Sequence, residues 1–168
     1  MKEKVKMKDL GIKHFGPRIS VTDPCYDRDQ WYCRADDLPI VSGDYCCKVW
    51  QNTETKRVHQ IQIALDGVKH DSSKTEILAV IDVDAGLAGF FNRKEDYKDQ
   101  EWYEFCDSLN LEDDDAWIRE DGKMDGFFSS TGYGDGSYLV ECERNENSEI
   151  ISVLLNFIGM EHAEIIAC

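Results

Sequence analysis

Three short segments concentrate the residue types that could bind a ligand or carry chemistry. They read TDPCY (22–26), DVDAGLAGF (82–90) and STGYGDGSY (130–138). From them we take Asp23, Tyr133, Asp135 and Tyr138 as candidate ligand-binding residues. Asp-Pro pairs and closely spaced glycines also reverse the chain in turns, so a purely structural role stays open for each segment.

Asp82 and Asp84 are candidate metal ligands. Two carboxylates two residues apart lie on the same side of a strand end, where their oxygens could bind a hard cation such as Ca²⁺ or Mg²⁺. No bidentate glutamate follows at the distance of an EF-hand loop, and Asp84 could instead accept backbone N–H bonds in a turn that Gly86 permits. We therefore expect no cofactor, with Ca²⁺ or Mg²⁺ at this pair as the alternative.

The glycine-rich segment around Gly134 leads into a strand. Phosphate-binding loops of the Rossmann and Walker types lead into a helix, whose dipole supports the anion, so this segment resembles neither. We expect a hairpin turn. The alternative is a ligand loop with Asp135 as acceptor and Tyr133 and Tyr138 as stacking walls. Tyr138 is expected to pack on a helix.

Residues typical of catalysis occur without the spacing that catalysis requires. The four histidines form no HExxH motif, no GxSxG elbow is present, and the seven cysteines include no CxxC pair. Cysteines in a reducing compartment act as small apolar side chains. A nucleophilic Cys25 with remote partners stays open.

The segments that must position these residues are mostly strands. Apolar and polar residues alternate in Val58–Leu65, with Ile61 and Ile63 on one face and Gln60 and Gln62 on the other, as in a half-buried antiparallel strand. Residues 45–49 alternate in the same way. Residues 137–142 and 149–158 form a further pair, joined by a turn at 145–148. Residues 77–83 are apolar on both faces and predict a central, doubly covered strand.

One segment is helical, at about 96–109, where Trp102, Phe105, Cys106 and Leu109 share a face and Asn92 is placed to cap the start. Strands precede and follow this helix without the regular alternation of a parallel fold. We therefore predict an α+β fold, predominantly antiparallel, that is a sandwich or a strongly curved sheet. The whole chain, 1–168, is expected to be a single domain.

The charge is strongly acidic, with 19 basic and 34 acidic residues and a formal net charge of −15. Residues 95–126, the predicted acidic helix and loop, account for −10 of it, whereas residues 1–18 form a basic segment. Such a chain repels duplex nucleic acid. No apolar run is long enough to span a membrane or to serve as a secretion signal, so we expect a cytoplasmic protein that does not bind membranes.

Five segments, read in order, resemble a family of bacterial and phage proteins that is known as a domain of unknown function: TDPCY, SGDY (42–45), VDAGLAGFF (83–91), STGYGDGSY and IISVLLNFI (150–158). The resemblance covers residues 19–158, and GYGDGSY is its most specific element. This chain departs from the family at Asn156, where an aspartate is expected. The resemblance implies a shared fold and carries over no catalytic residue.

These observations leave three hypotheses for the function. The first is a binding protein without enzymatic activity, whose acidic residues Asp113, Asp114 and Asp115 dock a basic protein partner. The second is a metal-dependent enzyme or a ligand-binding protein that uses Asp82, Asp84 and Asp135. The third is a sponge for a small anionic signal such as a cyclic nucleotide, with the glycine loop and Arg18, Arg28 or Arg34 as contacts.

Overall fold

The computed structural model describes residues 2–109, 115–120 and 122–166. Their strands are β1 (Glu3–Phe15), β2 (Arg18–Thr22), β3 (Ala35–Pro39), β4 (Gly43–Asn52), β5 (Val58–Leu65), β6 (Glu76–Val83), β7 (Leu87–Lys94), β8 (Ala116–Arg119), β9 (Met124–Ser130), β10 (Gly136–Arg144), β11 (Ile150–Asn156) and β12 (Ala163–Ile166). The helices are α1 (Asp99–Ser108) and two 3₁₀ helices, Arg28–Cys33 and Ser72–Lys74.

The strands form two sheets. The first has the order β12-β1-β4-β5-β11-β10-β6 and the second the order β3-β2-β7-β9-β8. Neighbouring strands run antiparallel, except that β12 is parallel to β1. The predicted α+β fold with mainly antiparallel, sandwich-like sheets is confirmed.

The main core lies between the two sheets, as the alternating sequences require. On β5, Ile61 and Ile63 are fully buried, whereas Gln60 and Gln62 are half-buried on the opposite face. Phe90 and Phe127 enter the same core from the second sheet. The predicted strand pair β10–β11 is present, and Asn145 forms its turn by accepting a backbone N–H from Ser148.

A second, smaller core lies on the outer face of the second sheet, under α1. There Phe105 and Leu109 pack on Phe91 and Phe128. The predicted helix is therefore present, but Asn92 does not cap it. Asn92 belongs to β7, where its side chain accepts a hydrogen bond from the Gly16 N–H (3.0 Å) and donates one to the His14 carbonyl (2.8 Å).

Strand β6 differs from its prediction. It lies at the edge of the first sheet, and Ile77 and Val80 are 65% and 56% exposed, so it is neither central nor covered on both faces. The basic N-terminal segment is largely strand β1, between β4 and β12. The acidic segment 95–126 contains strand β8 and the start of β9 as well as α1.

Candidate functional site

A basic cavity of about 440 Å³ opens on the second sheet, where β2, β3 and β7 meet the 3₁₀ helix Arg28–Cys33. Its lining combines four basic side chains with two acidic and two neutral ones: Arg28, Arg34, Arg93, Lys94, Asp36, Asp37, Ser20 and Asn92. Over these lining residues alone the charge is positive by two, in a chain whose total is −15. Just outside the lining, the Glu95 carboxylate lies 3.9 Å from Arg93, and Asp27 and Asp96 act on Lys94.

Lys94 reaches this cavity because β7 contains a bulge. The pairing of β7 with β9 shifts register between Phe91 and Arg93, which leaves Asn92 as the extra residue. An extra residue reverses the alternation of the side chains that follow it. Lys94 consequently pairs with Met124, a residue of the outer core, and lies on the outer face of the sheet.

The Lys94 ammonium is buried without an ionic partner. The residue is 5% exposed, and its Nζ donates a hydrogen bond to the Glu95 carbonyl (2.6 Å) and lies 5.1 Å from the centre of the Tyr97 ring. Within the described residues no carboxylate lies within ion-pair distance of it, and Asp96 and Asp27 act on it only from farther away. Burial lowers the pKa of Lys94 to about 8, and the nearby Arg34 guanidinium adds to that shift, while the Asp96 and Asp27 carboxylates oppose it.

Arg34, in contrast, is fully engaged. Its Nε and Nη2 both donate to the Asp36 carboxylate at 2.8 Å, and its Nη1 donates to the Tyr26 carbonyl at 3.1 Å. The Ser20 hydroxyl also donates to Asp36. Asp36 therefore balances Arg34 and fixes its position, and Glu95 lies 3.9 Å from Arg93. Lys94 and the exposed Arg28 are the two basic lining residues that form no ion pair within the described residues.

Cys25 lies close enough to the cavity for the charge of Lys94 to act on its pKa. Burial raises the pKa of the Cys25 thiol to about 11, and the Asp23 and Asp84 carboxylates raise it further against Lys94. At neutral pH the sulfur is therefore protonated, and the thiol is a poor nucleophile.

The three sequence segments that we expected to carry chemistry do meet in the structure, but at a structural junction. Asp23, fully buried after β2, accepts backbone N–H bonds from Cys25 (2.7 Å), Asp84 (2.8 Å) and Ala85 (2.7 Å). The Thr131 N–H in turn donates to the Gly86 carbonyl (3.0 Å). We call this arrangement the Asp23 junction. Burial raises the pKa of Asp23, an effect that the three N–H donors oppose.

The candidate metal ligands do not gather further ligands. Asp82 accepts a hydrogen bond from the Ser137 hydroxyl (2.6 Å), and Asp84 is exposed. Across residues 2–109, 115–120 and 122–166 there is no group of three or more His, Cys, Asp or Glu side chains that could hold a metal ion.

The glycine loop forms a turn between β9 and β10. Tyr138 donates its hydroxyl to the Gly134 carbonyl (2.6 Å) and packs edge-on against Phe157 in the main core, 5.2 Å between ring centres. The expectation that Tyr138 packs on the helix is wrong, because α1 covers the other sheet. Asp135 is exposed, and so is Tyr133, whose ring lies under the Arg57 guanidinium.

The proposed partner surface is only partly described. Asp113 and Asp114 lie outside the described residues, whereas Asp115 is exposed and accepts a hydrogen bond from the Ala116 N–H (2.8 Å). Docking of a basic partner there stays a prediction.

A larger cavity of about 660 Å³ lies between the 66–75 loop and β10, but its buried acid is already engaged. Glu143 accepts hydrogen bonds from the Asp71 N–H and contacts the His70 ring, both at 2.8 Å. The other nitrogen of His70 lies 2.8 Å from the Leu65 carbonyl. These contacts hold the loop and leave neither group free.

Comparisons of the chain with family models, curated proteins and solved structures found no match. In the part of the chain that the structure describes, no helix has the length and apolar character needed to cross a membrane.

Sequence reasoning named two residues of the basic cavity and missed the central one. Of the expected anion contacts, Arg28 and Arg34 line the cavity, but Arg18 and the glycine loop do not. Lys94 was missed because its place on the outer face of the sheet depends on the bulge at Asn92. The alternation of side chains in the apolar run before it does not reveal that bulge. The sequence signal was the polar Asn92 interrupting GFFNRK (89–94).

Proposed function

We propose that the protein binds a small phosphate-bearing ligand in the basic cavity. The observation that carries this proposal is the buried ammonium of Lys94. An unpaired buried charge destabilises a folded protein, so its presence in a cavity is accounted for by an anion that pairs with it there.

The chemistry of the other cavity residues supports a phosphate. Guanidinium groups donate paired hydrogen bonds to phosphate oxygens, and an ammonium adds a point charge. Arg28 lines the cavity as an exposed side chain, whereas Arg34 is held in place by Asp36. Four basic side chains lining one cavity suit a single phosphate group, whereas a long polyanion would meet the acidic remainder of the surface.

The proposal concerns binding rather than turnover. The thiol nearest the cavity, that of Cys25, has its pKa raised to about 11 and stays protonated. The acidic docking surface and the family resemblance remain independent proposals. They involve other parts of the chain and would not conflict with a ligand in the cavity.

Calorimetric titration with inorganic phosphate and pyrophosphate tests the proposal. We expect saturable binding to the wild type at pH 7, at least tenfold weaker in Lys94→Met. Lys48→Met is the matched control, because it removes the same charge from β4 in the other sheet, and it should change the affinity less than twofold. Equal affinities in wild type and Lys94→Met, or binding of neither anion, would refute the proposal.

A further inference from the structure

We infer that the phosphate-bearing ligand is a nucleoside monophosphate whose base stacks on the aromatic pair Trp31 and Tyr32. This inference rests on the proposed function, because it assigns a second half to the ligand held by Lys94. It adds a binding surface outside the cavity that the phosphate alone would not use.

Trp31 and Tyr32 are exposed side by side on the 3₁₀ helix Arg28–Cys33. Trp31 is 71% exposed and Tyr32 is 66% exposed, and their rings meet edge to face with centres 6.0 Å apart at 86°. Single exposed apolar residues are common, but two adjacent, mutually ordered aromatic rings form a surface that ligands use. Both rings are therefore accessible to a ligand.

The position of the pair relates it to the basic cavity. Arg28 begins the 3₁₀ helix and Arg34 directly follows it, so cavity residues bound the segment on both sides of the aromatic pair. The segment is kinked at Gln30, but Trp31 is three residues from Arg28 and three from Arg34, whose N–H donates to the Trp31 carbonyl (3.4 Å), so the chain keeps it within roughly 11 Å of both arginines. In a nucleotide a single sugar separates phosphate from base, a span of comparable size.

Of the groups that are attached to a phosphate in small ligands, a base stacks best on the aromatic pair. Every base has a flat π-face, and stacking on one aromatic side chain increases affinity by roughly tenfold or more. Because the two rings are almost perpendicular, a base lying flat on one ring meets the edge of the other, a favoured aromatic geometry.

The charge of the protein favours binding of a mononucleotide over binding of a nucleic acid strand. The basic side chains are confined to one cavity, which suits a single phosphate monoester. Beyond the cavity the chain is acidic, with a total charge of −15. The successive phosphates of a strand would therefore lack the positive track that single-strand binding requires.

The test compares AMP with ribose 5-phosphate, which carries the same phosphate without a base. We expect AMP to bind the wild type at least tenfold more tightly. Trp31→Ala should remove this advantage and change the affinity for ribose 5-phosphate less than twofold, whereas Lys94→Met should weaken both ligands at least tenfold. Tyr103→Ala is the matched control, because it removes a ring that is 64% exposed on α1.

The outcomes separate the two proposals. Equal affinities for AMP and ribose 5-phosphate, or an AMP affinity that Trp31→Ala leaves unchanged, would overturn the nucleotide inference while phosphate binding stands. Binding of neither compound, or binding of both that is insensitive to Lys94→Met, would refute the proposed function and the inference with it. A loss of AMP affinity in Tyr103→Ala equal to that in Trp31→Ala would also overturn the inference.

Discussion

Asp23 and Lys94 are both charged, both buried and both at strand ends of the second sheet, yet their surroundings differ in one respect. Asp23 accepts three backbone N–H bonds and joins three segments of the chain. Lys94 donates one hydrogen bond to a carbonyl and faces a cavity. The Asp23 junction is complete within the protein, whereas the Lys94 cavity is not.

This difference in hydrogen bonding distinguishes a buried charge that stabilises the fold from one that can bind a ligand. A buried ion whose hydrogen bonds are satisfied by the chain holds the fold together and has no capacity left for a ligand. A buried ion without a counter-charge lowers stability and gains when an anion arrives. Removing the two side chains should therefore change stability in opposite directions.

The largest effect is expected at the Asp23 junction. Asp23→Ala leaves three N–H groups without their acceptor, and each such group costs about 1–3 kcal/mol, so the free energy of unfolding should fall by roughly 3 kcal/mol or more. Urea unfolding measures it. Asp84→Ala, at an exposed neighbour, is the control and should change little. A loss below about 1 kcal/mol in Asp23→Ala would show that water replaces the carboxylate.

Lys94→Met should act in the opposite sense. Methionine fills a similar volume without a charge to desolvate, so the free energy of unfolding at pH 7 should rise by about 1–3 kcal/mol while phosphate binding is lost. Urea unfolding without phosphate measures the gain. Destabilisation by this variant would mean that the ammonium has a stabilising partner, and the contrast with Asp23 would fail.

The pH dependence of this gain follows from the pKa of Lys94. Its folded value of about 8 lies below its ordinary value of 10.5. Between these pH values the unfolded chain binds a proton that the folded chain does not, so wild-type stability rises with pH in this window. The advantage of Lys94→Met should therefore be full below pH 8 and vanish by about pH 10.5. A difference in the free energy of unfolding between the two proteins that stays constant from pH 7 to about pH 10.5 would contradict this.

The smallest effects are expected in the glycine loop. Gly134 has a φ of +97°, and no atom lies within 4 Å of an added Cβ, so Gly134→Ala should cost about 1 kcal/mol through its backbone alone. Asp135→Asn at the exposed neighbour should be nearly neutral and leave AMP binding unchanged. Thermal melts of both variants test this. If Gly134→Ala left the melting temperature unchanged and Asp135→Asn removed AMP binding, the loop would be a ligand site rather than a turn.

The fold could be predicted to the extent that it depends on local patterns. Alternation located β5, and the spacing of Trp102, Phe105 and Leu109 located α1. The edge position of β6 could not be read, because residues 77–83 have the composition of a covered strand. Whether a strand is central depends on which distant strands flank it, and no local pattern encodes that.

The candidate site was predicted less well, for a related reason. Aspartates and glycines occur both in ligand sites and in turns, so the sequence alone does not distinguish the two roles. In this structure Asp23 and Gly134 stabilise turns. The role of Lys94 depends on a one-residue bulge at Asn92 and on burial against Tyr97, which are products of tertiary packing. The sequence could name Arg28 and Arg34 as possible anion contacts because of their charge, but it could not show that they line the same cavity as Lys94.

The order of strands in the first sheet also has a kinetic consequence. Strand β5 is flanked by β4 and by β11, so that Gln62 bonds with Ser152, 90 residues further along the chain. Strand β6 likewise pairs with β10. Such high contact order makes folding slow, on the order of milliseconds to seconds. On the ribosome, β5 and β6 emerge long before their partners, so we expect the nascent chain to depend on chaperones until β11 has been synthesised.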